Sequence, residues 1–352
     1  MTIPPKIEVL PGNSQATSPL VSICIPNYNG ADYIGQCLRS VLAQERDYEI
    51  EIILHDDAST DNSLAIIREQ FPEVHVLASK INAGFCISNN RMVEHSHGKY
   101  VLLLNNDAVL RPGSLRAFLH EAEACAIPGI IGLPQYSLMD GALVDRGYEF
   151  DIFMNPIPTL TPGHHEVATV TGACLWIPRQ VWDETGGFPD WFGSVAEDIY
   201  LCHAARLLGY PVVVLDSPGF DHWIGRNLGG GKVMENKLVS TTRRRALSER
   251  NKTWVMLICY PLAVLLFVLP LHFALLAVEA IALMVTGTPS IKVKSIYLTL
   301  PASLSNNFSR VTAARKRIQA NRRMERIDYL RRFRLVPWKL IMLFRHGLPS
   351  LR

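Results

Sequence analysis

Residues 21–30 read VSICIPNYNG and residues 100–107 read YVLLLNND. Each is a short apolar run that breaks off into polar turn-formers, the signature of a strand buried on both faces. Between them the chain alternates in kind. From Ala31 to Gln44, Tyr33, Ile34, Cys37, Leu38, Val41 and Leu42 recur at helical spacing. Ile50 to Leu54 (IEIIL) is a second strand, closed by Asp56-Asp57-Ala58-Ser59-Thr60-Asp61, and Ser63 to Gln70 is a second helix. Val74 to Ala78 and Asn89 to His95 repeat the pair as strand and helix. Repeated βα units need helices on both faces of the sheet, so an α/β domain with a mostly parallel sheet is expected.

Downstream the pattern loosens. Ser114 to Ala126 is helical, Gly129 to Pro134 is strand-like, and residues 135 to 165, rich in Gly, Pro and Asp without a period, are expected to form a variable loop. Val167 to Pro178 is strand-like but interrupted by Gly172. After Val181 to Thr185 and the turn Gly186-Gly187-Phe188, Glu197 to Leu208 is an amphipathic helix and Val212 to Leu215 a strand, with His222-Trp223 in the loop beyond it.

The 352 residues carry 35 Lys+Arg against 32 Asp+Glu and are 48% hydrophobic, which excludes a disordered polyelectrolyte and a disulfide-stapled miniprotein. The near-balance hides a division. Residues 1–242 hold 15 basic and 28 acidic side chains, residues 243–352 hold 20 and 4. The expected organisation is a Pro-punctuated leader over 1–19, an acidic α/β domain over 20–242, and a basic helical region over 243–352. Seven cysteines without a CxxC pair favour a reducing compartment, and no apolar run follows a basic start, so no secretory signal is expected.

Trp254 to Val278 is a run of 25 residues without formal charge. Its length suits a membrane span. Yet Arg243, Arg244, Arg245, Arg250 and Lys252 precede it, while Lys292, Lys294 and ten basic residues between Arg310 and Arg334 follow it. A single span would put one basic cluster on the wrong side. A hairpin broken near Pro270, or helices lying in the interface, keeps both clusters on one anionic leaflet. A span, and a buried helical pair or contact with a second copy of the chain, stand as alternatives. The Arg-rich run also suits nucleic acid, but beside an uncharged segment anionic lipid is the simpler partner.

In open α/β sheets the ligand crevice lies beyond the carboxyl ends of the strands. Three polar clusters fall there: Pro26-Asn27-Tyr28-Asn29, Asp56-Asp57 and Asn105-Asn106-Asp107. No GxGxxG follows the first strand and no GxxxxGK[ST] occurs, so the sheet holds its ligand by another arrangement. Strand-end carboxylates can accept N–H donors from a base or ribose, or hold a divalent cation beside a diphosphate. Asp56, Asp57 and Asp107 are the candidates, with ordinary loop capping the alternative for Asp56 and Asp57. Glu197-Asp198 opens a helix, where free backbone N–H groups keep a carboxylate ionised and able to act as a general base. His222 offers a metal or phosphate contact.

The runs VSICIPNYNGADYIGQCLRSVLAQ, HDDASTDNS, NAGFCISNN, GKYVLLLNNDAVLRPGSL and TGACLWIPRQVWDETGGFPDWFGSVAEDIYLCHAARLLGY, in this order over residues 20–230, resemble the inverting family 2 glycosyltransferases of GT-A fold. The resemblance is to their bacterial members that build polysaccharides, rhamnosyltransferases included. It implies a Rossmann-like, mostly parallel mixed sheet flanked by helices, with the C-terminal region associating with a membrane. It implies that Pro26 and Asp56 line the nucleotide pocket, with Asn29, Asp57 and Asn106 on the donor, and that Asp107 holds Mg2+ or Mn2+. The family's DxD-like element reads Asn105-Asn106-Asp107 here, which makes His222 a second metal contributor. Asp198 is then the catalytic base, Glu197 its orienting neighbour, and Gly172 and Trp176 fall on the acceptor side.

The implied reaction is transfer of a sugar, rhamnose from dTDP-rhamnose being the first choice, to a hydroxyl of a lipid-linked glycan at the cytoplasmic face of the inner membrane, by a peripheral or hairpin-anchored enzyme. Two other readings compete: a nucleotidyltransferase acting on sugar phosphates, and a membrane-bound nucleotide-sugar binding protein without turnover. The first should carry a basic phosphate-gripping loop near the first strand, and Pro26-Asn27-Tyr28-Asn29-Gly30 has no charge.

Overall fold

The computed structural model describes every residue except 1–5, 14, 15, 164, 224–229, 235, 236 and 352, and the backbone alone at 230–234 and 237. The chain divides into two compact units: Met1–Tyr148 with Pro158–Ala205 and Tyr210–Trp223, and Glu149–Ile157 with Arg206–Gly209 and Ile224–Arg352.

The first unit is built in chain order from β1 (Ile7–Leu10), β2 (Val21–Asn27), α1 (Ile34–Leu42), β3 (Ile50–Asp57), α2 (Ser63–Gln70), β4 (His75–Ser79), α3 (Phe85–Glu94) and β5 (Tyr100–Leu104). There follow β6 (Ala108–Leu110), α4 (Ser114–Ala124), β7 (Ile130–Gly132), β8 (Gln135–Ser137) and β9 (Leu143–Asp145). The strands β10 (Tyr148–Asp151) and β11 (Pro156–Pro158) come next in the chain but lie mainly in the second unit, and the first resumes with β12 (Cys174–Pro178), α5 (Arg179–Thr185), α6 (Glu197–Leu207), β13 (Val212–Val214) and β14 (Phe220–His222).

Eight strands form one sheet in the order β1-β4-β3-β2-β5-β12-β7-β13. The pairs β4/β3, β3/β2, β2/β5 and β7/β13 are parallel, and β12 runs antiparallel between β5 and β7. The expected mostly parallel, helix-flanked sheet is present. Val21–Ile25 of β2 and all of β5 are buried because helices cover both faces, which is why VSICI and YVLLL read as unbroken apolar runs. Trp176 of β12 is fully buried and stacks on Tyr100 and Phe118, ring centroids 5.1 and 5.3 Å away. It belongs to the core, and the acceptor-side position expected for it is corrected accordingly.

Several boundaries differ from expectation, each for a local reason. Ile7–Leu10, inside the expected leader, pairs antiparallel with β4 as an edge strand; Glu8 is exposed as an edge allows. β3 continues through Asp56 and Asp57, because pairing with β2 and β4 satisfies the backbone while the carboxylates find donors. α3 begins at Phe85, four residues earlier than the apolar period indicated. Of Val167–Pro178 only Cys174–Pro178 is a strand of the large sheet. Residues 135–165 hold four short strands in place of a loop, two of which join β6 and β14 in a second sheet, β6-β14-β8-β9. His222 therefore sits on a strand, paired with Ala108 and Ser137.

The second unit is mainly helical: α7 (Thr242–Cys259), α8 (Leu262–Val285), α9 (Ser290–Tyr297), α10 (Thr299–Asn306), α11 (Phe308–Ala320), α12 (Arg326–Arg331) and α13 (Trp338–His346). The Thr241 hydroxyl caps α7 by accepting from the Arg244 N–H at 3.2 Å. The uncharged run is divided at Tyr260-Pro261 and not at Pro270, which lies inside a continuous α8. Pro261 ends α7 because the residue before a proline is pushed out of the helical region; Tyr260 has ψ 146°. The 24 residues of α8 have mean hydropathy 2.4 and are long enough to associate with a membrane.

Candidate active site

The site is organised by Asn27, the last residue of β2, which is almost fully buried. Its side-chain amide donates to Asp56 Oδ1 at 2.9 Å and to the Ser63 hydroxyl at 3.0 Å, while its Oδ1 accepts from Asn106 Nδ2 at 2.8 Å. One side chain thus ties together the three polar clusters at the strand ends. Gly30 makes this possible: a Cβ there would lie 2.2 Å from Asn27 Oδ1 and 2.5 Å from Asn106 Nδ2. Asn27 stands inside the quoted PNYN cluster but was not among the expected site residues. Its signal is that a polar residue directly follows a fully buried strand.

Asp56 is buried, and its second oxygen accepts from the Ser59 N–H at 3.1 Å. Asn29, with φ of +50°, accepts from the Thr60 N–H at 2.8 Å and donates its own N–H to the Ser59 hydroxyl at 3.0 Å. Asn tolerates this left-handed backbone better than most residues. Asn29 therefore holds the loop 59–60 against Pro26, which is partly exposed at the end of β2. Asp57 faces elsewhere, accepting from the Ala83 and Gly84 N–H groups at 2.5 and 2.9 Å where the chain turns into α3. Burial pushes its carboxyl up, and those two N–H groups pull it back. Its observed work is to hold that turn, the capping alternative raised from sequence.

Asp107 and His222 meet: the imidazole Nε2 lies 3.1 Å from Asp107 Oδ1. The two come together because β6 begins just past Asp107 and pairs with β14, whose last residue is His222. Asp107 is also fixed through its backbone carbonyl, which accepts from the Trp223 N–H at 3.1 Å. Behind this pair lies Asp145 at the end of β9, fully buried and accepting from the Gly147 N–H at 3.0 Å and the Tyr148 hydroxyl at 2.8 Å. Burial pushes its carboxyl up to about 6, against those hydrogen bonds and the nearby His222, with Asp198 adding to the rise. Asp145 feels both His222 and Asp198, so all three share one neighbourhood. Nothing in the aperiodic segment around it pointed to a site.

Asp198 lies in the first turn of α6. Its Oδ2 accepts from the Gly172 N–H at 3.0 Å and its Oδ1 from the Ile199 N–H at 2.8 Å. Gly172 has no side chain where a Cβ would come 3.3 Å from the Asp198 Cβ. The next residue, Ala173, accepts from the Asn105 N–H at 2.9 Å, which joins the Asp198 turn to the Asn105-Asn106-Asp107 cluster. Glu197 is buried beside it. Val195 and Ala196 approach α6 with φ of +71° and +68°. Two consecutive non-glycine residues in that region store about 1–3 kcal/mol each, strain of the kind found where a functional group must be aimed.

The arrangement is a polar floor at the carboxyl ends of β2, β3 and β5, with a carboxylate–imidazole pair to one side and a partly exposed carboxylate at a helix N-terminus. Among the described residues no group of three or more His, Cys, Asp and Glu is placed to hold a metal. An oxygen and an imidazole nitrogen facing each other nevertheless fit a Mn2+-type ion that takes its remaining ligands from a diphosphate. Among the described residues the buried His222 Nδ1 has no hydrogen-bond partner.

Residues 22–180 match the protein family described as Glycosyl transferase family 2. The chain is similar to the chondroitin synthase of Pasteurella multocida (strain Pm70), 32% identical over 152 residues, which are 42% of this chain and 16% of that protein. It is similar also to the putative teichuronic acid biosynthesis glycosyltransferase TuaG of Bacillus subtilis (strain 168), 35% identical over 136 residues, 36% of this chain and 52% of that one. The chain thus spans between 16% and 52% of the length of these relatives. Among solved structures it resembles GalNAc-T7 with UDP, GalNAc and Mn2+, with a TM-score of 0.64 at 12% identity over 96% of this chain and 60% of that one. At that identity the likeness is one of fold.

Proposed function

We propose, from the match of residues 22–180 to the family described as Glycosyl transferase family 2, that this chain moves a hexose-type sugar from a nucleotide diphosphate to a hydroxyl of a glycan acceptor, with inversion. The observation that carries the reading is the hydrogen-bonded chain from Asp56 through Asn27 to Asn106, with the Asp107–His222 pair beyond it and the Asp198 turn joined to the same cluster through Ala173 and Asn105. A base-binding carboxylate, a diphosphate-side pair and a base for the acceptor follow one another in the order a nucleotide sugar requires.

In this reading Asp56 accepts from the nucleobase or ribose, and Asn29 with Pro26 walls that end of the pocket. Asn106 and Asp57 act on the donor indirectly, by holding Asn27 and the Ala83-Gly84 turn. Asp107 and His222 hold a divalent cation, Mn2+ or Mg2+. When bound, that ion offsets the charge that develops on the departing diphosphate. Asp198, oriented by two N–H donors, takes the proton of the acceptor hydroxyl as its oxygen attacks the anomeric carbon from the face opposite the diphosphate. The C–O bond to the diphosphate breaks as the new C–O bond forms, and inversion follows without a protein nucleophile. Glu197 orients this turn.

The finer assignment is a rhamnosyl donor, dTDP-rhamnose, and a lipid-linked glycan acceptor at an anionic, cytoplasmic membrane surface. The basic, apolar C-terminal helices support a membrane-surface acceptor and the likeness to a relative named for teichuronic acid biosynthesis supports a glycan acceptor, while the rhamnosyl donor rests on the family resemblance of the sequence alone. A panel of nucleotide sugars tested against lipid-diphosphate saccharides with Mn2+ present checks it. A rhamnosylated lipid product is expected, and transfer confined to other sugars or to soluble acceptors would overturn that finer assignment.

A further inference from the structure

A soluble helix buries its apolar side and shows water a polar one; α8 is apolar on both sides. Leu265, Val268, His272, Leu276 and Leu283 are buried along one stripe, and Glu279 lies in the same stripe. The opposite face exposes Leu262, Leu266, Phe267, Leu271, Val278, Ile281, Met284 and Val285, several of them more than 60% exposed, with no polar side chain among the residues that line it. Over the most apolar window only 28% of residues are buried.

The inward stripe is held by charge. Glu279 is ion-paired with Arg245 of α7 and, at 2.9 Å, with Lys339 of α13. Lys339 also meets Glu249 at 2.8 Å, and Lys252 meets the same carboxylate at 3.0 Å. His272 is hydrogen-bonded to the Thr253 hydroxyl at 3.0 Å. α7 and α8 are therefore antiparallel and locked by polar contacts on the middle and final turns of α8. Three cations and two carboxylates stand at the depth of that helix.

This network decides between orientations. If α8 crossed a bilayer, Arg245, Glu249, Lys252, Glu279 and Lys339 would be carried into hydrocarbon with it, which is strongly opposed. If α8 lies flat, its apolar face enters the acyl region and the network stays on the protein side. The charge complements an anionic leaflet: residues 243–352 hold 20 basic side chains to 4 acidic, and Lys294, Arg310, Lys316, Arg317 and Arg345 are exposed. α13, anchored by Lys339, exposes Leu343 and Phe344 as well.

We propose that α8 is a monotopic anchor lying in the plane of an anionic membrane surface, its Leu262-to-Val285 face among the acyl chains and its His272–Glu279 face locked to α7. This deepens the membrane reading of the proposed function and rests on it.

The experiment uses the full chain in membranes of a bacterial expression host, with Cys125→Ser to remove the one partly exposed thiol. Ala320→Cys reports the end of α11 that binds the α7–α8 junction, where Gln319 donates to the Ile258 and Cys259 carbonyls, and Ser290→Cys reports the other end of α8. An impermeant maleimide should label both in inside-out vesicles and neither in intact spheroplasts. Labelling of the two from opposite sides would overturn the in-plane orientation while leaving membrane attachment standing. Flotation with phosphatidylglycerol-containing vesicles tests the attachment itself: Phe267→Asp with Ile281→Asp, both at exposed positions, should lower the bound fraction by about tenfold. A wild-type chain that does not float would overturn the membrane reading along with the proposal. A soluble dimer that the same double substitution separates would assign the face to a second copy and overturn both.

Discussion

Gly30→Ala is the substitution whose consequence can be worked most closely from the site. The new Cβ would fall 2.2 Å from Asn27 Oδ1 and 2.5 Å from Asn106 Nδ2, closer than atoms can approach, so the 2.8 Å hydrogen bond between those side chains must open. Both groups are buried, and water cannot readily replace the lost partner. Stranding one buried polar group costs about 1–3 kcal/mol, which is the cost if the other finds a new partner. Expressed in turnover, that is a loss of about 5- to 150-fold in kcat/KM, at about 1.4 kcal/mol per tenfold. Any part of the cost borne by the fold instead appears as a lowered Tm, at about 2–4 °C per kcal/mol for a unit of this size. Steady-state kinetics on the preferred donor, with thermal unfolding of the same samples, measures both. Gly35→Ala, at the second residue of α1, is the control: its Cβ meets only the exposed Arg39 guanidinium, at 3.1 Å, and a helical Gly→Ala change is neutral or stabilising. If Gly30→Ala kept kcat/KM within about threefold of wild type at an unchanged Tm, the Asn27 hub would not organise the site as described.

Three further outcomes are expected. Asp198→Asn keeps the shape and an acceptor for the Gly172 N–H but removes the base, so turnover should fall by about 10²–10⁴ while donor affinity, read by calorimetry, stays within about twofold; near-normal turnover would discard the base assignment. Asp107→Asn and His222→Asn should each raise the Mn2+ concentration for half-maximal activity by about tenfold or more, and no change in either would remove the pair from the metal site. The third concerns pH. Burial, with Arg91 beside it, pushes the His55 imidazole down to about 4 from an unfolded value of about 6.5. The unfolded chain therefore binds the proton first, and stability is lost as pH falls from about 6.5 to 4, by about 3 kcal/mol for this group. His272 in the second unit, pushed down to about 3, acts in the same direction. His55→Gln should accordingly reduce, without abolishing, the fall in Tm between pH 7 and pH 5; an unchanged slope would rule His55 out.

How much of this was legible in the sequence follows from how each part is encoded. The βα core is written in continuous apolar runs such as YVLLL, because strands covered on both faces have no polar side to confuse the period, and the sheet could be read from them. The clusters around Asn27, Asp56 and Asp107 were legible because polar residues at the ends of such strands have no packing reason to be there. What escaped was encoded in short or mixed signals. Strands β8 and β9 are three residues each, too short for an alternation to show, so Asp145 stayed hidden inside an apparent loop. His222 was placed in a loop because β14 has the same length. Trp176 was misread because an aromatic near a functional glycine looks like a wall until its stacking partners Tyr100 and Phe118 are seen. The division of the C-terminal apolar run at Pro261 competed with Pro270. A proline that follows a buried, well-packed helix end stops it, whereas Pro270 occupies an exposed position of α8.

A single displacement at an anomeric carbon is expected, driven by Asp198 across from a diphosphate neutralised by a cation on Asp107 and His222. Phosphorus and proton NMR on one reaction mixture of enzyme, Mn2+, nucleotide sugar and acceptor follows both halves of that displacement. Nucleoside diphosphate should be the released phosphorus species and the new glycosidic bond should have the anomeric configuration opposite to the donor's, both lost in Asp198→Asn. Release of pyrophosphate, or a product that keeps the donor's configuration, would contradict it.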